Sequence, residues 1–308
     1  MNTRRAFLKN GGLAFVGLST LPSFLTRAVA ASAGDRKKIL VVLFQRGAAD
    51  GLNIVVPFAE PNYYKLRPSI AIPAPKQGGT GAAIDLDGRF GLHPSLAPLE
   101  PLFKQGALGI VHAAGSPDTT RSHFDAQDYM ESGTPGLKST ADGWLNRSLR
   151  LQPEPDASPF RAVAMGSSLP RALQGSAPAV ALPDLRQFQV IGAPQVTASG
   201  FEAIYSQTVD KKLGSTGRET FEAINLLKKA DPGRYTPDNG AEYPRGRFGQ
   251  SLTQVAQLIK SNVGLEVAFL DSGGWDTHVN QGNVQGQLSN LLREMSEEIG
   301  RASCRERV

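Results

Sequence analysis

GLEVAFLDSGGWDTHVN, residues 264–280, opens with a largely apolar run from Leu265 to Leu270 that includes β-branched and aromatic side chains. Such a run predicts a buried strand. It stops at Asp271-Ser272-Gly273-Gly274, which is turn chemistry, and Trp275, Asp276 and His278 follow at once. In open α/β sheets ligands sit in the crevice beyond the carboxyl ends of the strands. Asp276 and His278 are two residues apart, a spacing that puts both side chains on one side of an extended backbone but not of a helix. A carboxylate and an imidazole converging there can ligate a divalent metal or share a proton. The same residues also fit a plain loop, with the Asp capping the next helix and the His a surface donor.

The pattern repeats upstream. Lys37 to Phe44, KKILVVLF, reads as a central parallel strand covered on both faces, and it runs into Gln45-Arg46-Gly47-Ala48-Ala49-Asp50-Gly51-Leu52-Asn53. Arg46 and Asp50 thus stand at a strand's carboxyl end, suited to an anion and a metal respectively, or to an ion pair bracing a glycine turn. Ile54–Val56 and Ile70–Ile72 are short strand-like pieces ended by proline, with an irregular or briefly helical stretch between them and a surface loop over 75–90. His93 precedes Pro94 and is expected to be extended, a structural or surface histidine, ahead of a helix from Ser95 to Lys104. Ala107 to Ala113 predicts a further strand and Ser122 to Glu131 a helix, with Ser122 and Asp125 close to a capping box. A hydroxyl at a helix N-terminus beside Arg121 is also a place for a nucleophile attacking phosphorus or sulfur, with the arginine on the oxyanion. Ser122 reads equally as an N-cap.

Further on, helices are expected from Gly143, over 200–230, from Phe248 to Lys260 and from Asn283 to Ile299, and strands over Phe160–Met165 and Ala177–Leu182. Leu252, Val255, Ala256 and Ile259 form one helical stripe, and Leu288, Leu291, Leu292 and Met295 another. Strand, polar loop and helix recur, which argues for an α/β fold with a mostly parallel sheet and helices on both faces.

The formal charge of +5 is misleading. Residues 1–30 hold four basic and no acidic residues, and residues 300–308 hold three basic against one acidic. Between them 26 basic residues face 27 acidic ones, so the body is near neutral and nucleic acid is not an expected partner. Cys304 is the only cysteine, so disulfides, thiolate metal sites and a cysteine nucleophile are excluded from the body. No apolar run after the N-terminus reaches the length of a transmembrane segment. Residues 1–33 read as an export signal: Thr3-Arg4-Arg5-Ala6-Phe7-Leu8-Lys9 resembles the twin-arginine consensus, an apolar stretch runs from Gly11 to Leu25, and Ala28-Val29-Ala30 is a small-x-small cleavage site. The expected location is periplasmic or extracellular, reached through the twin-arginine export machinery. That route carries folded proteins, often with a cofactor already loaded.

Four separate runs, in order, resemble the bacterial domain-of-unknown-function family 1501: Phe44-Gln45-Arg46-Gly47-Ala48-Ala49-Asp50-Gly51-Leu52-Asn53, Phe90-Gly91-Leu92-His93-Pro94, Thr120-Arg121-Ser122-His123-Phe124-Asp125-Ala126-Gln127-Asp128, and Gly273-Gly274-Trp275-Asp276-Thr277-His278. The resemblance implies an alkaline-phosphatase-like α/β domain over 34–299, in a superfamily that includes sulfatases. It implies a divalent metal of unspecified identity, with Asp50 as the first-strand metal carboxylate and Asp276 and His278 as a later metal pair. Thr120 or Ser122 falls where that superfamily places its nucleophile, and Arg121 or Arg46 would face the anion. The activity so implied is metal-dependent hydrolysis of phosphate or sulfate esters. The alternative is a non-catalytic envelope or glycan-binding protein on a hydrolase-like fold, and Gln45, where related enzymes often carry an acidic group, points that way.

Members of that family continue past this point with a further strand and Asp-His-rich segments that resemble nothing here. Residues 300–308, GRASCRERV, break the helical stripe and resemble translated adapter sequence. The expectation is a C-terminally incomplete domain with a non-native tail, short of ligands for a two-metal site and inactive in this form. Sequencing source DNA across the codons for Glu298 to Val308 is expected to show the frame continuing into a strand; a native stop after Val308 would count against this.

Overall fold

A computed structural model of the chain describes residues 38–75, 81–153, 157–185, 234–243 and 246–300. The export signal, the 200–230 helix and residues 301–308 of the tail fall outside these. In chain order the described strands and helices are β1 (Leu40–Gln45), α1 (Gly51–Ile54), β2 (Val55–Val56), α2 (Pro61–Leu66), β3 (Ile84–Asp85), β4 (Gly91–Leu92), α3 (Glu100–Lys104), α4 (His123–Ser132), α5 (Trp144–Leu151), β5 (Ala162–Ala164), β6 (Val180–Ala181), α6 (Arg247–Lys260), β7 (Val267–Ser272) and α7 (Gln287–Glu298). This is an α/β protein with a four-stranded, mostly parallel sheet in the order β1-β7-β5-β6, and a three-stranded antiparallel sheet in the order β2-β4-β3. Among the described residues no helix is long and apolar enough to cross a membrane.

The first four residues of β7 are buried, as a continuous apolar run in a central parallel strand should be. β5 pairs in parallel with β6 through Val163 and Val180, and with β7 through Val163 and Ala268. β1 ascends alongside β7: the Leu40 amide donates to the Glu266 carbonyl at 2.8 Å and the Arg46 amide to the Ser272 carbonyl at 2.7 Å. β1 is thus an outer strand of this sheet, not a central one, and Ile39 and Val41 are exposed. Hydrophobic sequence alone cannot separate a strand covered on both faces from one covered on a single face.

Contacts divide the described residues into two compact units. One takes those of Met1–Val42, Ser116–Asp231 and Ser261–Phe269; the other takes those of Leu43–Gly115, Pro232–Lys260 and Leu270–Val308. In the first unit α4 begins at Ser122, whose side chain accepts from the Asp125 amide at 3.3 Å, and ends at Gly133 in the left-handed conformation (φ 65°). Arg161 is almost fully buried. Its Nε donates to Glu266 at 2.8 Å, and its guanidinium reaches the carbonyls of Leu149 and Gln152 at the end of α5. A buried guanidinium needs that many acceptors to offset desolvation.

In the second unit Leu92, Leu96, Leu99, Trp275, Leu288 and Leu292 form one buried cluster, with Leu291 and Met295 packed against it, so the stripe expected on α7 faces this core. The helix expected from Ser95 starts instead as a 3-10 turn, Pro94–Leu99, before α3, as befits a stretch broken by Pro94, Pro98 and Pro101. Residues 107–113 form no strand. Leu108 and Ile110 pack against the core cluster while Ala107, Gly109 and Val111 are exposed, so the alternation is there without a ladder partner. Ile70–Ile72 forms no strand either, and the loop expected over 75–90 contains β3.

His93 is fully buried and structural. Its Nδ1 accepts from the Ser95 amide and its Nε2 donates to the Asn283 carbonyl, both at 3.0 Å, so the neutral ring ties the 3-10 turn to the segment before α7. Burial pushes its pKa down, with Arg293 acting in the same direction and the Asn283 contact opposing. A depressed folded-state pKa gives stability that is present above the ordinary histidine pKa and lost as pH falls through the folded value. His93→Gln should therefore cost about 1–3 kcal/mol at pH 7.5. The gap between wild type and variant in urea melts should narrow as pH is lowered below 6.5; a gap that widened in acid would contradict this assignment.

Candidate functional site

At the carboxyl ends of β1 and β7 the two following loops meet within the second unit. Gly47, at φ 127°, lies so close to the β7 loop that a Cβ there would stand 2.4 Å from the Asp276 amide nitrogen and 2.9 Å from the Trp275 carbonyl carbon. Only glycine combines that backbone angle with that approach. The Trp275 amide donates to the Arg46 carbonyl at 3.2 Å. The fully buried Trp275 indole enters the core and donates to Ser272 Oγ at 3.0 Å, so the glycine turn of the β7 loop is pinned from inside.

The Asp50 side chain accepts from Arg67 Nη2 and, at 2.6 Å, from Gln281 Nε2. The expected Arg46–Asp50 pair is not formed: Arg46 lies 2.7 Å from Asp271 and stacks on the Phe44 ring at 4.4 Å. Asn53, fully buried, accepts from Tyr63 Oη at 2.7 Å and donates to the Ile70 carbonyl, while Tyr63 Oη accepts from the Ile72 amide at 2.8 Å. Burial raises the Tyr63 pKa. Asp50 and Asn53 are thus tied to the segment 61–72, while Arg46 and Gln45 reach Asp271 and Met295 instead.

Asp276 and His278 do come together: His278 Nε2 lies 2.8 Å from Asp276 Oδ2, with the His278 side chain about three-quarters exposed. They meet through a turn rather than through extended backbone. Thr277 is helical in φ and ψ, and His278 takes a left-handed φ of 43° at the start of a 3-10 turn, His278–Asn280. A non-glycine residue held there is a small store of backbone strain, of the kind that collects at functional positions. Thr277 Oγ1 reaches Gln281 at 3.4 Å, which links this turn to Asp50 through Gln281.

An oxygen and an imidazole nitrogen are suitable ligands for a zinc-like ion. Two ligands each ~2.0–2.1 Å from a tetrahedral ion stand about 3.3 Å apart, so the 2.8 Å contact is a hydrogen-bonded pair that would have to open to share an ion. By the chemistry of their donor atoms, though not by that spacing, Asp276 and His278 fit a metal as two of its ligands. Asp50 is engaged by Arg67 and Gln281 through Oδ2. Among the described residues no group of three or more His, Cys, Asp or Glu side chains stands as a metal-holding cluster.

Thr120, Arg121 and Ser122 belong to the other unit. Ser122 does not follow a strand, because the 107–113 segment is irregular, but it does cap α4 as its sequence allows. The Thr120 side chain accepts from the Ser122 amide at 3.1 Å, Asp118 from the Thr120 amide at 2.8 Å and Ser116 from the Asp118 amide at 3.2 Å. Arg121 is exposed. Arg67 and Gln281, the two partners of Asp50, carried no signal in the sequence: both lie outside the four recognisable runs, and only long-range folding brings them in.

Comparison with known proteins finds no matching family model, curated protein or solved structure.

Gly47→Ala should destabilise the protein by at least about 2 kcal/mol, because the added methyl meets backbone and the residue must hold a strained φ. A chemical melt checks this; an unchanged midpoint would show that the two loops are not in contact.

Proposed function

We propose that this chain is an exported α/β protein of the alkaline-phosphatase-like type, a metal-dependent hydrolase of phosphate or sulfate esters. The observation that carries the reading is the meeting of the β1 and β7 loops at the carboxyl edge of adjacent parallel strands, where Asp276 and His278 stand joined. Asp276 and His278 are the residues that would hold a divalent ion. When bound, such an ion polarises an ester oxygen and lowers the pKa of a nucleophile. Asp50 serves this edge by bracing it through Arg67 and Gln281. Ser122 or Thr120 as nucleophile and Arg121 as the group that faces the anion are carried by the resemblance alone. The export reading rests on the twin-arginine-like start and the resemblance on the four runs.

A second reading has an observation of its own. Asp50 is already held by two donors, and among the described residues no third His, Cys, Asp or Glu side chain joins Asp276 and His278 as a metal-holding group. That arrangement favours a protein that keeps the hydrolase-like fold to bind a glycan or another envelope component without turnover.

The deciding experiment is metal binding, measured by equilibrium dialysis against Zn²⁺ and Mn²⁺ with elemental analysis. It is paired with turnover of p-nitrophenyl phosphate and p-nitrophenyl sulfate. One bound ion is expected, lost in Asp276→Ala and His278→Ala and kept in Asp50→Asn. Metal-dependent turnover abolished by Asp276→Ala would establish the hydrolase; bound metal or glycan without turnover would favour the second reading. A wild-type protein that takes up no divalent ion under any condition overturns the metal assignment.

A further inference from the structure

Glu298, in the last turn of α7, is fully buried, and neither carboxylate oxygen has a hydrogen-bond partner. One helical turn earlier Glu294 presents a second carboxylate on the same side of α7. Both converge on the start of α6. A Cβ on Gly246 would stand 3.1 Å from Glu294 Oε1 and 3.8 Å from Glu298 Oε1, so the absence of a side chain at Gly246 is what lets the two carboxylates lie against this backbone. The buried face of α6 starts here, at Phe248 and Gly249. The 3-10 turn Pro94–Leu99 also neighbours this end of α7: its Pro98 carbonyl lies beside Gly300, and its six residues carry no ionisable side chain.

A buried carboxylate without a partner is costly when ionised and tolerable when protonated. Here a second carboxylate adds repulsion, and the backbone amide of Gly249 is the opposing influence, too poorly placed to make a full hydrogen bond. We propose that the contact between the first turn of α6 and the last turn of α7 is a proton-operated latch, tightest when Glu298 is protonated and weakened as Glu298 ionises against Glu294. The device is independent of the chemistry read at the β1–β7 edge.

Desolvation first, and Glu294 second, push the Glu298 carboxyl from an ordinary 4.5 up to about 7. A group whose folded-state pKa is raised gives stability that is full below its unfolded pKa and is lost as pH rises through the folded one. The window is therefore 4.5 to about 7, within which local opening should become up to about tenfold easier per pH unit, then level off.

The test is hydrogen exchange on the full chain, followed in peptides covering 246–252 and 292–299. Wild type and Glu298→Gln are compared at the same pH so that intrinsic exchange rates cancel. Between pH 5 and pH 7 the ratio of wild-type to variant opening should rise by roughly tenfold or more and then level off above pH 7.5. Glu294→Gln, which keeps Glu298 but removes the repulsion, should keep the pH dependence and move its midpoint to lower pH. It also tests the latch if Glu298→Gln does not fold. A ratio that stays flat across this range, or a midpoint unmoved by Glu294→Gln, overturns the proposal.

Discussion

A glycine without room for a side chain joins the two loops on which the functional reading depends. At Gly47 the backbone of the β1 loop approaches Asp276 so closely that no other residue fits, and the positive φ at this residue is one that L side chains avoid. Trp275 supplies the other half of the constraint. Its burial in the Leu92–Leu292 cluster, together with the Ser272 hydrogen bond, fixes where the β7 loop turns, and so fixes where Asp276 and His278 emerge. The hydrophobic effect thus sets the position of two polar residues that contribute little to it. An indole of this size brings more apolar area than any neighbour in the loop, and the glycines on its N-terminal side let the chain reverse without cost to the sheet.

Much of this fold was legible in the sequence, and the exceptions share one cause. β7, α4, α5, α6 and α7 were all marked by periodicity, caps or apolar runs, because those signals are local. The strand expected over 107–113 failed because alternation at Leu108 and Ile110 records which side chains touch a core, not whether the backbone finds a ladder partner. β1 has the composition of a central strand and sits at the side of the sheet for a related reason: neighbours in the sheet are chosen by long-range topology. The antiparallel β2-β4-β3 sheet has two-residue strands, too short for any periodicity to show.

The candidate site divides in the same way. Asp276 and His278 do meet, but through a turn and not through the extended backbone on which the spacing argument rested. Asp50 shows the opposite limit. A carboxylate after a strand and among glycines has the local signature of a metal ligand, and the signature of a brace is the same. The structure adds Arg67 and Gln281, 17 and 231 residues away, whose contacts with Oδ2 make Asp50 a brace of this edge. His93 likewise could be placed as extended, but not as the neutral buried link that its two hydrogen bonds make it.

α7 illustrates how differently two ends of one helix can handle buried polarity. Around its first turn buried polar groups are paired: Ser289 shares a hydrogen bond with Ser95 at 2.8 Å and reaches the Val284 carbonyl, and His93 holds the Asn283 carbonyl just before the helix. Ser296 continues the pattern with the Ser95 carbonyl. These are neutral groups in short, complementary contacts, the arrangement in which buried polar atoms stabilise rather than cost. At Glu298 the pattern stops, with a charged type of side chain buried and unmatched. Had stability alone shaped this contact, a leucine or methionine would fill the same volume without a desolvation penalty. An acid kept where an apolar residue would be more stable makes this end of α7 responsive to proton concentration, while the other end stays fixed by its neutral contacts.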